Sequence, residues 1–370
     1  MRYLRRPMYL SQWERQLARG GAALAVVAIL AILALLLRPV PELRILCSHN
    51  NVACTALTTE FGERTGIRVS LTRLPTGDAK KRVEASPHEF DVWLGGPSEA
   101  YEAASATGIF APLEDIPAEI PERFRDPEGY WVGIYGSVLA LCVREDAAYF
   151  PRTWEDATAP ELRGKIVLPN PLTSGTAATM LSTIAAVPGG AAPGVPQSSA
   201  PNAVPETVQG TAPNAVPNTE PNFLSTMRGL DSNTVTYTEY GAAPARVVAA
   251  GRADVGITFA PYCEEAARRG APVHTIYPGE GTGYEIGAVA LLRHAPHAEN
   301  GRAFIRFAMS ENGEKIGLDG VGQLATRTDI EENLARELAE LDVPVVSGNG
   351  FIQQRALVDA WVEEVRHGAL

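Results

Sequence analysis

The 370-residue chain lacks an excess of positive charge: 32 Lys and Arg stand against 43 Asp and Glu, for a net charge of −11. Its overall field therefore does not favour nucleic acid or an anionic membrane surface. Walker A, Gly-x-Gly-x-x-Gly and zinc-ribbon patterns are all missing, so the familiar nucleotide and structural-zinc signatures are excluded. There is no nucleophile elbow and no Ser-His-Asp set that sequence alone identifies, so the chain does not read as an enzyme. Histidine is scarce at six residues, and the nearest pair, His294 and His297 in "HAPH", flanks a proline. A metal site needs three or four converging ligands, so neither metal nor cofactor is expected there. Cysteine is scarce too. Cys47, Cys54, Cys142 and Cys263 allow three disulfide pairings in an exported chain. Cys142, inside the apolar run "VLALCV", reads equally well as a plain buried thiol.

What the chain does have begins at its N-terminus. Residues 1–20 carry Arg2, Arg5, Arg6, Arg15 and Arg19 against the single acid Glu14, and 21–37 ("GAALAVVAILAILALLL") hold no charge. Seventeen residues is the lower end of a spanning helix, and arginine before the span keeps that end in the cytoplasm. The exit "LLLRPVPELR" has no Ala-x-Ala-like cleavage pattern. The expectation is one uncleaved N-terminal transmembrane helix, with the rest anchored to the inner membrane on the periplasmic side. The alternative is a cleaved signal and release into the periplasm.

The remainder is 45% hydrophobic over the whole chain and long enough for two domains. Strand-like runs ("LRILCS", "IRVSL", "FDVWLGG", "WVGIYGSVLALCV", "KIVLP", "TVTY", "ADVGITF", "VHTIY", "EIGAVALL") alternate with helical ones, which predicts an α/β fold with largely parallel sheets. One segment, 187–222, breaks the order. It repeats "APNAVP", is rich in Pro, Ala, Asn and Gly, and has no aromatic residue within 187–221. Such composition cannot bury enough apolar surface to offset its ordering entropy, so a disordered inserted loop is expected.

Five stretches share one placement, at the end of a strand where a helix or turn begins: "CSHN" (47–50), "GGPS" (95–98), "TSGT" (173–176), "YGAAP" (240–244) and "GEGTGYE" (279–285). Ligands of open α/β sheets gather at the carboxyl ends of strands. Helix N-termini offer unpaired N–H groups and a partial positive charge, which suits phosphate, phosphonate or carboxylate. The candidate binding residues are Ser48, His49, Asn50, Gly96, Ser98, Thr173, Ser174, Gly175, Thr176, Tyr240, Gly241, Ala242, Tyr284 and Glu285. Arg246, in the first turn after "YGAAP", is a further candidate, although a solvated helix face explains it as well.

The runs "FGERTGIRVSL", "FDVWLGGPSEAY", "TWEDATAPELRGKIVLPNPLTSGTA", "VVAAGRADVGITF", "YPGEGTGYEIGAVALL" and "FIRFAMSENGEKIG" resemble the extracellular solute-binding proteins of bacterial ABC importers. The resemblance runs from about Leu43 to Asp329 and lies nearest the members that handle ferric iron, 2-aminoethylphosphonate and sugar phosphates. It implies an α/β type II periplasmic-binding-protein fold, two lobes with a hinged cleft. Lobe one would take 43–138 and 285–370 with the C-terminal helices, lobe two 139–284, and "IYGSVLALCV" and "EIGAVALL" would cross between them. It implies a monomer that hands a small anionic ligand to an importer permease, without nucleic acid. Iron-binding members commonly carry adjacent tyrosines where this chain has Pro261-Tyr262. An iron site here would have to use His49 and Tyr262, a poor set for a hard ferric ion. A phosphonate or phosphate ester is the expected ligand. Ferric iron, or a membrane-anchored ligand sensor on the same fold, are the alternatives.

Overall fold

The computed structural model describes residues 40–188, 222–346 and 351–366. In chain order the elements are β1 (Glu42–Cys47), α1 (Asn51–Thr65), β2 (Arg68–Arg73), α2 (Thr76–Ala85), β3 (Val92–Pro97), α3 (Ser98–Ser105), β4 (Phe110–Ala111), β5 (Val132–Arg144), β6 (Ile166–Pro169) and α4 (Gly175–Ala186). After the inserted segment come α5 (Asn222–Asn233), β7 (Thr234–Thr238), α6 (Ala243–Ala249), β8 (Val255–Phe259), α7 (Ala260–Arg268), β9 (Val273–Ile276) and β10 (Tyr284–Leu292). The helices α8 (Ala298–Ala308), α9 (Glu311–Val321), α10 (Leu334–Glu340) and α11 (Phe351–Glu364) complete the chain.

The strands are ordered β2-β1-β3-β10-β5-β8-β6-β7, with β4 on β10 and β9 on β5. β1 pairs parallel with β2 and β3, and β6 pairs parallel with β7 and β8. Strands β5 and β10 run antiparallel to their neighbours. The long strand β5 joins the two halves of the sheet. Val138 is opposite Tyr284 on β10, and the next residue, Leu139, is opposite Phe259 on β8. All of β5 but its last residue is buried, which is why it reads as one apolar run instead of an alternation. Separate cores cover the halves. Leu43, Ile45, Phe61, Val289 and Phe304 anchor the first. Leu139, Trp154, Leu168, Met180 and Phe259 anchor the second. We call these halves lobe one and lobe two.

The C-terminal segment also connects them. Leu334 and Leu338 of α10 lie in the first core. The chain then passes the β10 entrance, where Thr282 N donates to Pro344 O and Val346 N donates to Thr282 O, each at 2.9 Å. Leu357 and Trp361 of α11 finish in the second core.

Both cysteine pairs form disulfides, Cys47–Cys54 and Cys142–Cys263. The reading of Cys142 as a plain buried thiol is thereby corrected: α7 lays Cys263 directly over β5. The insertion also begins later than its composition suggests. Val187 is 7% exposed and packs in the second core, because its N–H still closes the last turn of α4 on Thr183 O; at the far end Asn222 opens α5. Most of the expected loop, and the expected transmembrane stretch at 21–37, lie outside the described residues. Among the described residues no helix is long and apolar enough to cross a membrane.

Candidate functional site

Sequence-predicted strand ends converge on one cavity between the lobes. It is lined by Ser48, His49, Asn50 and Gly96 from lobe one, by Ser174, Gly175, Thr176, Tyr240, Gly241 and Ala242 from lobe two, and by Glu285 from β10. Tyr262 also lines it. Three expected residues do not. Tyr284 precedes Glu285 on a strand, and neighbours on a strand face opposite ways. Ser98 starts α3 and turns toward the Glu99 carboxylate at 3.5 Å. Thr173 lies behind Ser174, and its carbonyl accepts from Gly77 N at 3.4 Å.

The start of α4 carries a residue suited to capping that does not cap. Asn50, Ser310 and Asn333 cap α1, α9 and α10 in the ordinary manner, each side chain accepting a first-turn N–H. Ser174 holds the same position on α4 with extended backbone, yet its side chain makes no capping bond. Its hydroxyl and that of Thr173 are buried without a hydrogen-bond partner among the described residues. The first intrahelical bond runs from Ala178 N to Ser174 O, so the amides of Gly175, Thr176 and Ala177 precede it. Unpaired first-turn amides, the positive end of the helix and idle hydroxyls together form a receptor for an oxyanion. Gly175 has no space for a side chain, since a Cβ there would sit 2.5 Å from Pro97 Cδ. Glycine thus allows the β3–α3 turn of lobe one to press against the start of α4.

Lobe one contributes residues that the sequence reading did not select: Arg73, Pro75, Thr76 and Tyr135, with Glu239 added from lobe two. Arg73 ends β2 on its inner face, since exposure alternates along that strand. Its Nε donates to His49 O at 2.8 Å and its guanidinium lies over the Tyr240 ring. Among the described residues no carboxylate pairs with it. Burial and the neighbouring charge of Arg246 pull the Arg73 pKa down, although a guanidinium stays protonated in proteins. Arg73 carries the same signal as the other stretches, a polar residue at a strand end, two residues beyond the apolar alternation Ile67, Val69, Leu71 that marks β2. Tyr135 lies in mid-strand, and only tertiary pairing brings it to the site.

The His49 imidazole is engaged by Gln323: Nε2 donates to Gln323 Oε1 at 2.5 Å, Nδ1 is 3.5 Å from Gln323 Nε2, and the ring stacks on Tyr135 at 4.0 Å. Burial, with a smaller push from Arg73, lowers its pKa to about 3 against the raising effect of Gln323, so the ring is neutral. Ser48 Oγ accepts from Trp93 Nε1 at 2.8 Å, which directs the hydroxyl's own proton elsewhere. Burial, followed by the charge of Glu99, raises Glu285 to about 8. Near neutral pH this carboxyl is largely protonated and is a donor as well as an acceptor. Among the described residues no group of three or more His, Cys, Asp or Glu side chains could hold a metal ion.

The chain as a whole has known counterparts. Residues 43–317 match the model of the bacterial extracellular solute-binding protein family. An uncharacterized protein of Haemophilus influenzae is 28% identical over 345 residues, covering 88% of this chain and 91% of its own. Among solved structures, the periplasmic binding protein AfuA from Actinobacillus pleuropneumoniae, with exogenous fructose-6-phosphate bound, superposes with a TM-score of 0.74 at 25% identity, covering 89% of this chain and 99% of AfuA. The periplasmic binding protein P5PA gives 0.73 at 21% identity, over 88% of this chain and 99% of its own. Iron-bound HitA from Pseudomonas aeruginosa gives 0.68 at 18%, over 89% and 99%. The last two likenesses are of fold alone. With the family model covering most of the chain, two sheet halves joined by β5, and a polar cavity between them, the chain belongs to the bacterial extracellular solute-binding proteins and has their α/β periplasmic-binding-protein fold.

Proposed function

We propose that this protein captures a small phosphorus oxyanion, a phosphate ester or phosphonate, outside the inner membrane and delivers it to an ABC importer permease. One observation carries the choice of ligand: the buried, uncapped start of α4, where the Ser174 and Thr173 hydroxyls have no partner among the described residues. Burying a hydroxyl unpaired costs roughly 1–3 kcal/mol, and a ligand oxygen at Ser174 would recover that. Arg73, across the cleft and without a carboxylate partner, supplies the charge. AfuA, with its bound sugar phosphate, supports the same reading by analogy.

Ferric iron is a weaker fit. The His49 Nε2 is already bonded to Gln323, and Tyr262 stands beside Pro261 instead of a second tyrosine. In the hinged-cleft reading, lobe one (43–138 and the part of 285–370 that precedes α11) and lobe two (139–284, joined by α11, whose Leu357 and Trp361 pack in its core) separate to admit ligand and close through Arg73–Tyr240 and Gly77–Thr173. Calorimetric titration of the full-length protein with methyl phosphate, sugar phosphates, 2-aminoethylphosphonate and ferric citrate tests the assignment. Binding of at least one organophosphorus ligand, weakened in Ser174→Ala, is the expected result. Binding of ferric citrate alone would overturn it.

A further inference from the structure

The α4 cavity is small. The volume open to the centre of a water molecule is about 40 Å³, room for roughly three waters. A phosphoryl head fills such a space, and a larger ligand needs more. A second groove opens against the same wall. It shares Asn50, Ala242 and Tyr262 with the first cavity, and its corresponding volume is about 410 Å³.

The groove also runs between the lobes. Val52 at the start of α1 and Val321 at the end of α9 face the α6 and α7 helices, from which Ala249 and Ala266 line it. Its chemistry contrasts with that of the inner cavity. The walls are mostly aliphatic, and Val52 is 45% exposed, one of few large apolar side chains left so among the described residues. At its edge Glu265 pairs with both Arg268 and Arg269 at 2.6 Å, so this cluster keeps one positive charge in excess. Arg246 adds a second: it lines the groove, has no acidic partner among the described residues, and its charge also reaches Arg73.

We propose that this outer groove is a specificity subsite that receives the part of the ligand remote from phosphorus, an uncharged and largely aliphatic group. The proposal rests on the reading that a phosphorus oxyanion occupies the α4 cavity. The shared wall of Asn50, Ala242 and Tyr262 gives a ligand seated at Ser174 a direct exit into the groove.

The test compares methyl phosphate with n-butyl phosphate by calorimetry on the full-length protein. Three extra methylenes, each contributing about 0.8 kcal/mol when buried, set an upper limit near 50-fold. Wild type is expected to bind the butyl ester at least about tenfold more tightly. Ala249→Leu, which fills the groove, and Val52→Ser, an exposed first-turn change that α1 tolerates, should each narrow that ratio to about threefold or less. Equal affinity for the two esters, with both weakened by Ser174→Ala, would leave the oxyanion site standing and sink the outer subsite. An unchanged ratio in both groove variants would sink it as well. If neither ester binds, the oxyanion reading fails and the subsite falls with it.

Discussion

The Arg73 guanidinium carbon lies 4.0 Å from the centre of the Tyr240 ring. The two residues come from opposite lobes, one ending β2 and the other following β7, so the contact forms only when the cleft is narrow. It joins a cation–π attraction of roughly 0.5–2 kcal/mol to a charge available for an anionic ligand. Arg73→Ala should therefore weaken binding of a phosphate ester by about 10- to 100-fold, the effect of one charge-assisted hydrogen bond. Arg73→Lys should recover only part of this, since lysine keeps the charge but loses the planar fork and the ring stacking. Titration of both variants checks it. Full affinity in Arg73→Ala would show that the charge serves closure or solubility only.

Ser174→Ala separates a cap from a receptor. A working Ser cap lost to Ala costs about 1 kcal/mol. Here the hydroxyl has no partner among the described residues, so its removal should leave the stability of the ligand-free protein unchanged within about 0.5 kcal/mol, or raise it. Affinity for the oxyanion should still fall severalfold or more. Thr173→Ala should behave alike in stability. Urea unfolding without ligand and calorimetry with it give the two numbers. A stability loss near 1 kcal/mol with intact affinity would make Ser174 an ordinary cap.

Much of this architecture was legible in the sequence, for reasons that differ between elements. The β3 and β5 runs were visible because burial on both faces leaves nearly continuous apolar stretches. The turns at 48–50, 174–176 and 240–242 were visible because glycine and hydroxyl residues collect where strands hand over to helices. Helix α2 was overlooked: "TGDAKKRVEA" has little apolar periodicity, with only Thr76, Ala79 and Val83 buried. Thr76 was missed with it. Tyr135 was hidden because nothing local separates one residue of a buried strand from the next. Pairing of β5 with β10 decides that it meets Gly96, whose N–H donates to its hydroxyl at 3.0 Å.

Glu285 predicts the pH response. Its carboxyl is raised to about 8 by burial and then by Glu99, against an ordinary value of 4.5. Glu314 is also raised to about 8 by burial, against the pull of its hydrogen bonds from Thr326 and Arg327. At these two carboxyls the folded chain holds more protons than the unfolded one between pH 4.5 and 8, so their contribution to stability falls as pH rises through that window, while neutral His49, lowered to about 3, works the opposite way only up to about pH 6.5. Glu285→Gln should make the decline shallower. Affinity for an anion should also drop above pH 8, where ionised Glu285 puts a negative charge beside the ligand, and the same variant should remove the drop. Thermal melts and titrations between pH 5 and 9 measure both. A flat wild-type profile would contradict the assigned protonation.

The closest internal approach at the site concerns Gly241 and Thr176. A Cβ on Gly241 would overlap Thr176 Oγ1 and lie 2.5 Å from its Cβ. Neither side can yield easily. Thr176 is 5% exposed in the first turn of α4, and Gly241 O is held by the Thr258 hydroxyl at 2.7 Å. Gly241→Ala must push the 240–242 loop off the start of α4, which carries Tyr240 away from Arg73 and widens the oxyanion receptor. Overpacking of this kind costs about 1–3 kcal/mol, and affinity should fall at least tenfold because two walls of the cavity move together. Gly270→Ala is the control, since it removes another glycine in lobe two where no atom lies within 4 Å of the added carbon. Its positive φ of 88° brings a stability cost of its own, yet it should leave affinity unchanged. Equal losses of affinity in the two variants would mean that general destabilisation, and not the Gly241–Thr176 contact, controls binding.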